Sequence, residues 1–231
     1  MQLINTIYNL FFSSPNRRAA TGAISSSALN LLAGLVSVIW GAFTHAPWLV
    51  LNGSYYLLLF FSRRYALRQY WASRQQNAAS DRFLREYKAY HNTGAFLIAI
   101  GGSYIVLTLW LFFAVHHPEE SISAAIIGGL IAVIKIGIEL RGIFNYRGFS
   151  NPIMTTIKRL NLAAGLISFG LASRSILMLG HLLNTVGNTL ILGIVLGGAI
   201  VAVGYSMFSK RQNAVPWVNE GDGDADYAEM G

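Results

Sequence analysis

The chain has 231 residues, of which 54% are hydrophobic and 12% are charged, about half of the roughly 25% charge of an average soluble domain. Its apolar residues stand in blocks of about twenty, the length of a helix that crosses ~30 Å of hydrocarbon. This composition excludes an ordinary soluble domain and a disordered chain. The absence of cysteine also excludes a disulfide-stapled module, thiol chemistry and a cysteine metal cluster.

In chain order, the sequence predicts an all-α polytopic membrane protein. We expect a cytoplasmic or interfacial segment at 1–20, a transmembrane bundle within 21–209 and an acidic, disordered cytoplasmic tail at 210–231. The second span is expected to continue as a polar helix, so that 63–92 forms a cytoplasmic helical linker. The six predicted spans are 21–43, 48–62, 93–115, 121–144, 160–179 and 187–208.

The net charge of +7 is unevenly distributed, because all but two of the 17 Lys and Arg residues fall on one predicted side of the spans. The positive-inside rule therefore predicts three helical hairpins with both termini in the cytoplasm. We expect the basic side to face the anionic inner leaflet of the plasma (inner) membrane, and no base-stacking module indicates nucleic-acid binding. The basic residues on this side are Arg17, Arg18, Arg63, Arg64, Arg68, Arg74, Arg82, Arg85, Lys88, Arg141, Arg147, Lys158, Arg159, Lys210 and Arg211.

The fourth span contains two charged residues, Lys135 and Glu139, which lie four apart and therefore share one helix face. A charge near the bilayer centre costs at least ~2.5–3.5 kcal/mol, so such groups normally face protein or water. One interpretation is a coupling site on an intramembrane polar path. The other is a structural ion pair in which Lys135 snorkels toward the cytoplasmic interface.

Three amides are expected inside spans: Asn30, Asn52 and Asn161. Each needs a hydrogen-bond partner in hydrocarbon, so they either bridge helices or join the polar path. Two of them lie in similar sequences, since Leu29–Ser37 and Leu160–Ser168 are identical at seven of nine positions. This similarity indicates a parallel duplication or a chance likeness of small, leucine-rich helices.

Small residues mark one face of the sixth span, where Gly193 and Gly197 form a GxxxG motif and Gly204 follows one heptad later. Small residues let two helices approach closely. The motif predicts close helix packing, either inside the bundle or between two copies in a homo-oligomer.

Four histidines are expected on the outer side: His45, His116, His117 and His181. Glu119 and Glu120 follow two of them, and imidazole with carboxylate suits zinc-like ions. Histidine also titrates near neutral pH. The spacing matches no strong metal motif, so solvated loop histidines are the alternative, and no cofactor is predicted.

Two stretches, residues 145–154 and 158–168, resemble a pattern in an uncharacterised family of small six-helix bacterial integral membrane proteins. The family has a basic-Tyr-Arg turn (here Asn-Tyr-Arg), a Ser-Pro-like step (here Ser-Asn-Pro) and a Lys-x-x-Asn-Leu helix start. Trp48, Tyr55-Tyr56 and Arg63 resemble the family's second helix. The resemblance implies six spans and a bacterial membrane, and it implies no site residues.

The function expected from these features is transport of a small solute or ion, as a transporter or a channel. The alternative is a non-transporting sensor, scaffold or assembly subunit that acts through the basic cytoplasmic segment. An enzyme is not expected, because the sequence holds no HExxH, no GxSxG and no nucleotide-binding glycine loop. The second and fifth spans also lack the His and Asp residues of cation diffusion facilitators.

Overall fold

The computed structural model describes residues 15–76, 79–114, 122–145, 152–179 and 185–209. These residues form six helices, and the all-α prediction is confirmed. The predicted segments at 1–14 and 210–231 lie outside the described residues, as do His116, His117 and His181. The helices are α1 (Pro15–Phe43), α2 (Pro47–Ser73), α3 (Ala79–Ala114), α4 (Ile122–Asn145), α5 (Pro152–Leu179) and α6 (Thr185–Phe208).

Five of the six helices are long and apolar enough to cross a membrane, and α2 is not among them. The apolar part of α2 contains the polar step Asn52-Gly53-Ser54 and is followed by Arg63 and Arg64. The bundle has the burial pattern of a membrane protein, because its outer faces are apolar. On α4, for example, Ile126, Leu130 and Val133 are each more than half exposed.

The turn between α1 and α2 ends one helix and starts the next within three residues. The N–H of Ala46 donates to the carbonyl of Gly41 at 2.8 Å, and His45 has a left-handed φ of 52°, which together form a helix-ending Schellman turn. Pro47 then begins α2, where its missing N–H costs nothing. This turn holds α1 and α2 together as an antiparallel pair.

α5 is the central helix of the bundle, in contact with α2, α3, α4 and α6. The most extensive helix contacts are α3 with α6, α4 with α5, and α1 with α2. Of the three predicted hairpins, the first is therefore extensively packed, and the third, α5 with α6, has fewer contacts. Within the described residues α3 and α4 hardly touch, although they are consecutive in the chain, because the close-packing faces of each helix match other partners.

The α3–α6 contact shows why this pairing prevails. A methyl group added at Gly101 of α3 would lie 2.7 Å from the carbonyl oxygen of Gly197 of α6, and one added at Gly204 would lie 2.7 Å from the carbonyl oxygen of Gly94. Gly193 lies against the side chain of Thr108. The predicted glycine face of the sixth span thus packs against α3 of the same chain.

The charged stretch after the second span is a packed extension of the bundle. α2 continues to Ser73, whose hydroxyl donates to the carboxylate of buried Glu86 on α3 at 2.8 Å. A second apolar core lies in this region between α2 and the first turns of α5. Its members are Leu67, Tyr70, Ile153, Met154 and Ile157.

Neighbouring glycines of α3 offer a matched test of the α3–α6 contact. Gly101→Ala should lower the unfolding temperature in detergent, because overpacking against backbone costs about 1–3 kcal/mol. Gly102→Ala meets open space and should leave stability unchanged or raise it, since alanine favours helix. Equal effects of the two substitutions on thermal unfolding would contradict the close approach.

Candidate functional site: a buried ionic cluster

A buried ionic cluster lies where α1, α2 and α4 meet, and its members are Ser26, Asn30, Arg63, Lys135 and Glu139. One carboxylate oxygen of Glu139 lies 2.7 Å from Nη2 of Arg63, and the other lies 2.7 Å from Nζ of Lys135. The side chains of Arg63, Glu139 and Lys135 are 0%, 1% and 3% exposed. One carboxylate therefore bridges two cations out of contact with the surface.

Two polar side chains of α1 complete the cluster. Nη1 of Arg63 donates to the hydroxyl of Ser26, and Nζ of Lys135 donates to Oδ1 of Asn30. Ser26 and Asn30 are one helical turn apart, as are Lys135 and Glu139, so each pair presents one face. The matching turns of α1 and α4 thus meet side by side.

The cluster lies at one depth in the bundle. At about 1.5 Å per residue, Lys135 lies about 20 Å along α4 from Ile122, and Asn30 lies about 20 Å along α1 from Phe43. Arg63 lies about 24 Å along α2 from Pro47. The charges are therefore nearer to the end of the bundle at which α1 begins.

Tyr56 extends this network to the central helix. Its ring centroid lies 5.2 Å from Nζ of Lys135, within the range of a cation–π contact. Its hydroxyl donates to Oγ of Ser168 on α5 at 3.0 Å, and Ser168 donates in turn to the carbonyl of Ala164. Through Tyr56 the cluster contacts all four helices of the α1–α2 and α4–α5 pairs.

Next to Tyr56 in the sequence, Tyr55 begins an aromatic file with Tyr104 and Trp48 that runs toward the other end of the bundle. The rings of Tyr55 and Tyr104 have centroids 5.1 Å apart, and those of Tyr104 and Trp48 are 6.2 Å apart. The guanidinium of Arg174 lies 5.0 Å from the centroid of the Trp48 ring. All four rings are buried, so the file is closed in this conformation.

Arg63, predicted at the start of the cytoplasmic linker, is instead buried in the structure and donates to Glu139. The reason is that α2 carries its inward face past the end of the apolar block. Arg63 lies seven residues after Tyr56 and shares its helix face, while its neighbour Arg64 is exposed. Helical periodicity, unlike hydropathy, could have distinguished the two arginines.

The predicted amides have different surroundings. Asn30 joins the cluster, but Nδ2 of Asn52 donates to the carbonyl of Trp48 in its own helix at 2.9 Å. Asn161 is buried on α5, and its Oδ1 has no hydrogen-bond partner. Only one of the three amides therefore contacts Lys135.

The predicted histidine cluster is represented in the described part of the chain by His45 alone, which is exposed in the α1–α2 turn. Across the described ranges, no three His, Asp or Glu side chains are grouped as metal ligands.

Comparison of the sequence with protein-family models and with curated proteins finds no match. The function must therefore be argued from the cluster itself.

Removing the bridging carboxylate tests the cluster directly. Glu139→Gln would leave two buried cations without a counter-charge, so we expect a loss of about 3–5 kcal/mol of stability, or roughly 10 °C in unfolding temperature. Adding Lys135→Met to this variant should recover part of the loss. Arg64→Gln, at the exposed neighbour of Arg63, is the control and should change little. An unfolding temperature of Glu139→Gln equal to that of the parent would exclude the buried bridge.

Proposed function

We propose that this protein transports a small solute or ion across the plasma membrane, with all six helices spanning and the ionic cluster as its selective site. The observation that carries the proposal is the bridged set Arg63–Glu139–Lys135, buried among helices and extended by the aromatic file. Ionisable groups in transmembrane bundles are costly, and they mark substrate or ion pathways more often than they serve packing.

The energetics of the cluster support a functional role. Replacing a buried ion pair with apolar residues of similar volume is often neutral or stabilising. A bundle that needed only rigidity at this point would gain as much from apolar packing. Arg63, Glu139 and Lys135 together are therefore better explained by a charged ligand or a moving charge than by stability.

The position of the cluster supports a gating role. Ser26, Asn30 and Arg63 belong to the α1–α2 pair, whereas Lys135 and Glu139 belong to the α4–α5 pair. The salt bridge from Arg63 to Glu139 and the hydrogen bond from Lys135 to Asn30 both cross this boundary. Separation of the two pairs would open the cluster to one side of the membrane, in the manner of domain closure about a bound solute.

The burial of the cluster favours a second candidate, a non-transporting sensor, scaffold or assembly subunit. In this conformation Arg63, Lys135 and Glu139 are out of contact with the surface, as a permanently sealed structural network would be. Such a subunit would act through the basic surface of α2 and α3, where Arg68 and Lys88 are exposed.

The proposed topology puts both termini and this basic surface in the cytoplasm, against anionic lipid. Its support is the distribution of Lys and Arg around the spans, with α2 as the sixth span. α2 contacts α1, α3 and α5. Much of its surface therefore faces protein, so its modest hydropathy is compatible with a membrane span.

The absence of cysteine allows the topology to be tested by single-cysteine labelling without background. His45→Cys and Gln75→Cys both replace exposed residues, at opposite ends of α2. An impermeant maleimide should label His45→Cys in intact cells and Gln75→Cys only after permeabilisation. The reverse pattern would invert the topology, and labelling of both in intact cells would remove α2 as a span.

Transport is tested by flux in proteoliposomes, with a panel of inorganic ions and small organic acids. We expect the parent protein to move at least one of these solutes, and Lys135→Met to reduce its flux at least tenfold because the charge that contacts Asn30 and Glu139 is lost. Arg64→Met removes the exposed charge next to Arg63 and should retain flux. If no solute shows flux above that of empty liposomes, or if the two variants show equal flux, the sealed-subunit alternative is favoured.

A further inference from the structure

We infer that the ionic cluster binds a small monovalent anion, either a halide-sized inorganic ion or the carboxylate of a small organic acid. This inference rests on the proposed function in that it names the substrate class of the same site. The observation behind it is an imbalance of both charge and hydrogen-bond donors among fully buried groups.

The charge imbalance comes from two cations that share one carboxylate. Among the described residues, the salt bridges of both Arg63 and Lys135 are to Glu139. Arginine stays protonated in proteins, so protonated Lys135 gives the cluster one excess positive charge. An uncompensated buried charge is strongly unfavourable, and a bound anion would compensate it.

The donor imbalance lies in the same residues. Within the described part of the chain, Nε of Arg63 and Nδ2 of Asn30 are buried and have no hydrogen-bond partner. The other groups of these side chains are used, since Arg63 donates to Ser26 and Glu139, and Asn30 accepts from Lys135. Two unpaired donors on two helices therefore remain in a site whose net charge already favours an acceptor.

The same features disfavour a cation. A metal ion or organic cation would add to the excess positive charge and would find the Glu139 carboxylate already bonded on both oxygens. A neutral Lys135 would also remove the excess charge, but it would leave Nε of Arg63 and Nδ2 of Asn30 without acceptors. Anion binding accounts for both imbalances together.

The test measures thermal unfolding of the purified full-length protein in uncharged detergent. Sodium chloride, sodium nitrate and sodium formate are titrated at constant ionic strength against sodium gluconate, whose anion is much bulkier than the other three. We expect a saturable rise in unfolding temperature, about 5–10 °C at 100-fold excess over the dissociation constant. A rise with chloride and nitrate indicates an inorganic anion, and a rise with formate alone indicates a carboxylate. Replacing sodium by potassium or choline should have no effect.

A variant that supplies the missing negative charge makes the test independent of destabilised proteins. Asn30→Asp keeps the size of the side chain and places a carboxylate beside Lys135. It should unfold at a higher temperature than the parent in gluconate and should no longer respond to the smaller anions. Arg64→Met is the matched control and should respond as the parent does.

The outcomes separate this inference from the proposed function. Saturable stabilisation by an anion without flux of any solute would support the site and refute transport. Flux of a cation or a neutral solute by a protein whose unfolding temperature ignores all three anions would support transport and overturn the anion site. A parent protein without anion response, or an Asn30→Asp variant that responds as the parent does, overturns it as well.

Discussion

The carboxylate of Glu139 between Arg63 and Lys135 is the interaction on which the arrangement of this bundle depends. Each charge alone would be prohibitive at this depth, because desolvation in hydrocarbon far exceeds the gain from packing. Two charge-assisted bonds of 2.7 Å from one carboxylate offset that cost for three residues on two helices. The bridge consequently sets the register of α2 against α4, and Asn30 and Ser26 carry the same register to α1.

Close packing and ionic bonding have different roles in the fold. Backbone contact at glycine joins α3 to α6, where Gly101 meets Gly197, and the tight turn at His45 joins α1 to α2. Contacts of this kind have little freedom to slide, because a shift of a few tenths of an ångström produces overlap. Contacts between the α1–α2 and α4–α5 pairs are instead made by side chains, both the long ones of Arg63 and Lys135 and the apolar core between α2 and α5. Motion between those pairs needs changes in side-chain conformation, which is a smaller barrier than repacking helix backbones.

The sequence predicted what depends on local periodicity and missed what depends on partners in space. The apolar blocks predicted the six helices, although α3 and α5 begin 14 and 8 residues before the spans predicted at 93–115 and 160–179, and the spacing of Lys135 and Glu139 placed both on one face. Arg63 was misplaced because hydropathy locates the end of an apolar block and not the end of a buried face. The pairing of α4 with α5 also escaped prediction, since chain order says nothing about which small-residue faces match. Asn52 shows a further limit, because an amide in a span can satisfy its donor within its own helix.

The two similar segments of α1 and α5 show where the specificity of the cluster originates. Asn30 and Asn161 are both buried, as are Ser37 and Ser168, whereas Leu29 is 36% exposed and its counterpart Leu160 is fully buried. Their bonding differs, because Asn30 accepts from Lys135, whereas Oδ1 of Asn161 has no partner. Likewise Ser168 accepts from Tyr56, and Oγ of Ser37 has no partner. Similar sequence therefore does not fix the surroundings of a helix, and the charged face of α4, which Asn30 of α1 contacts, turns one of two equivalent amides into part of a site.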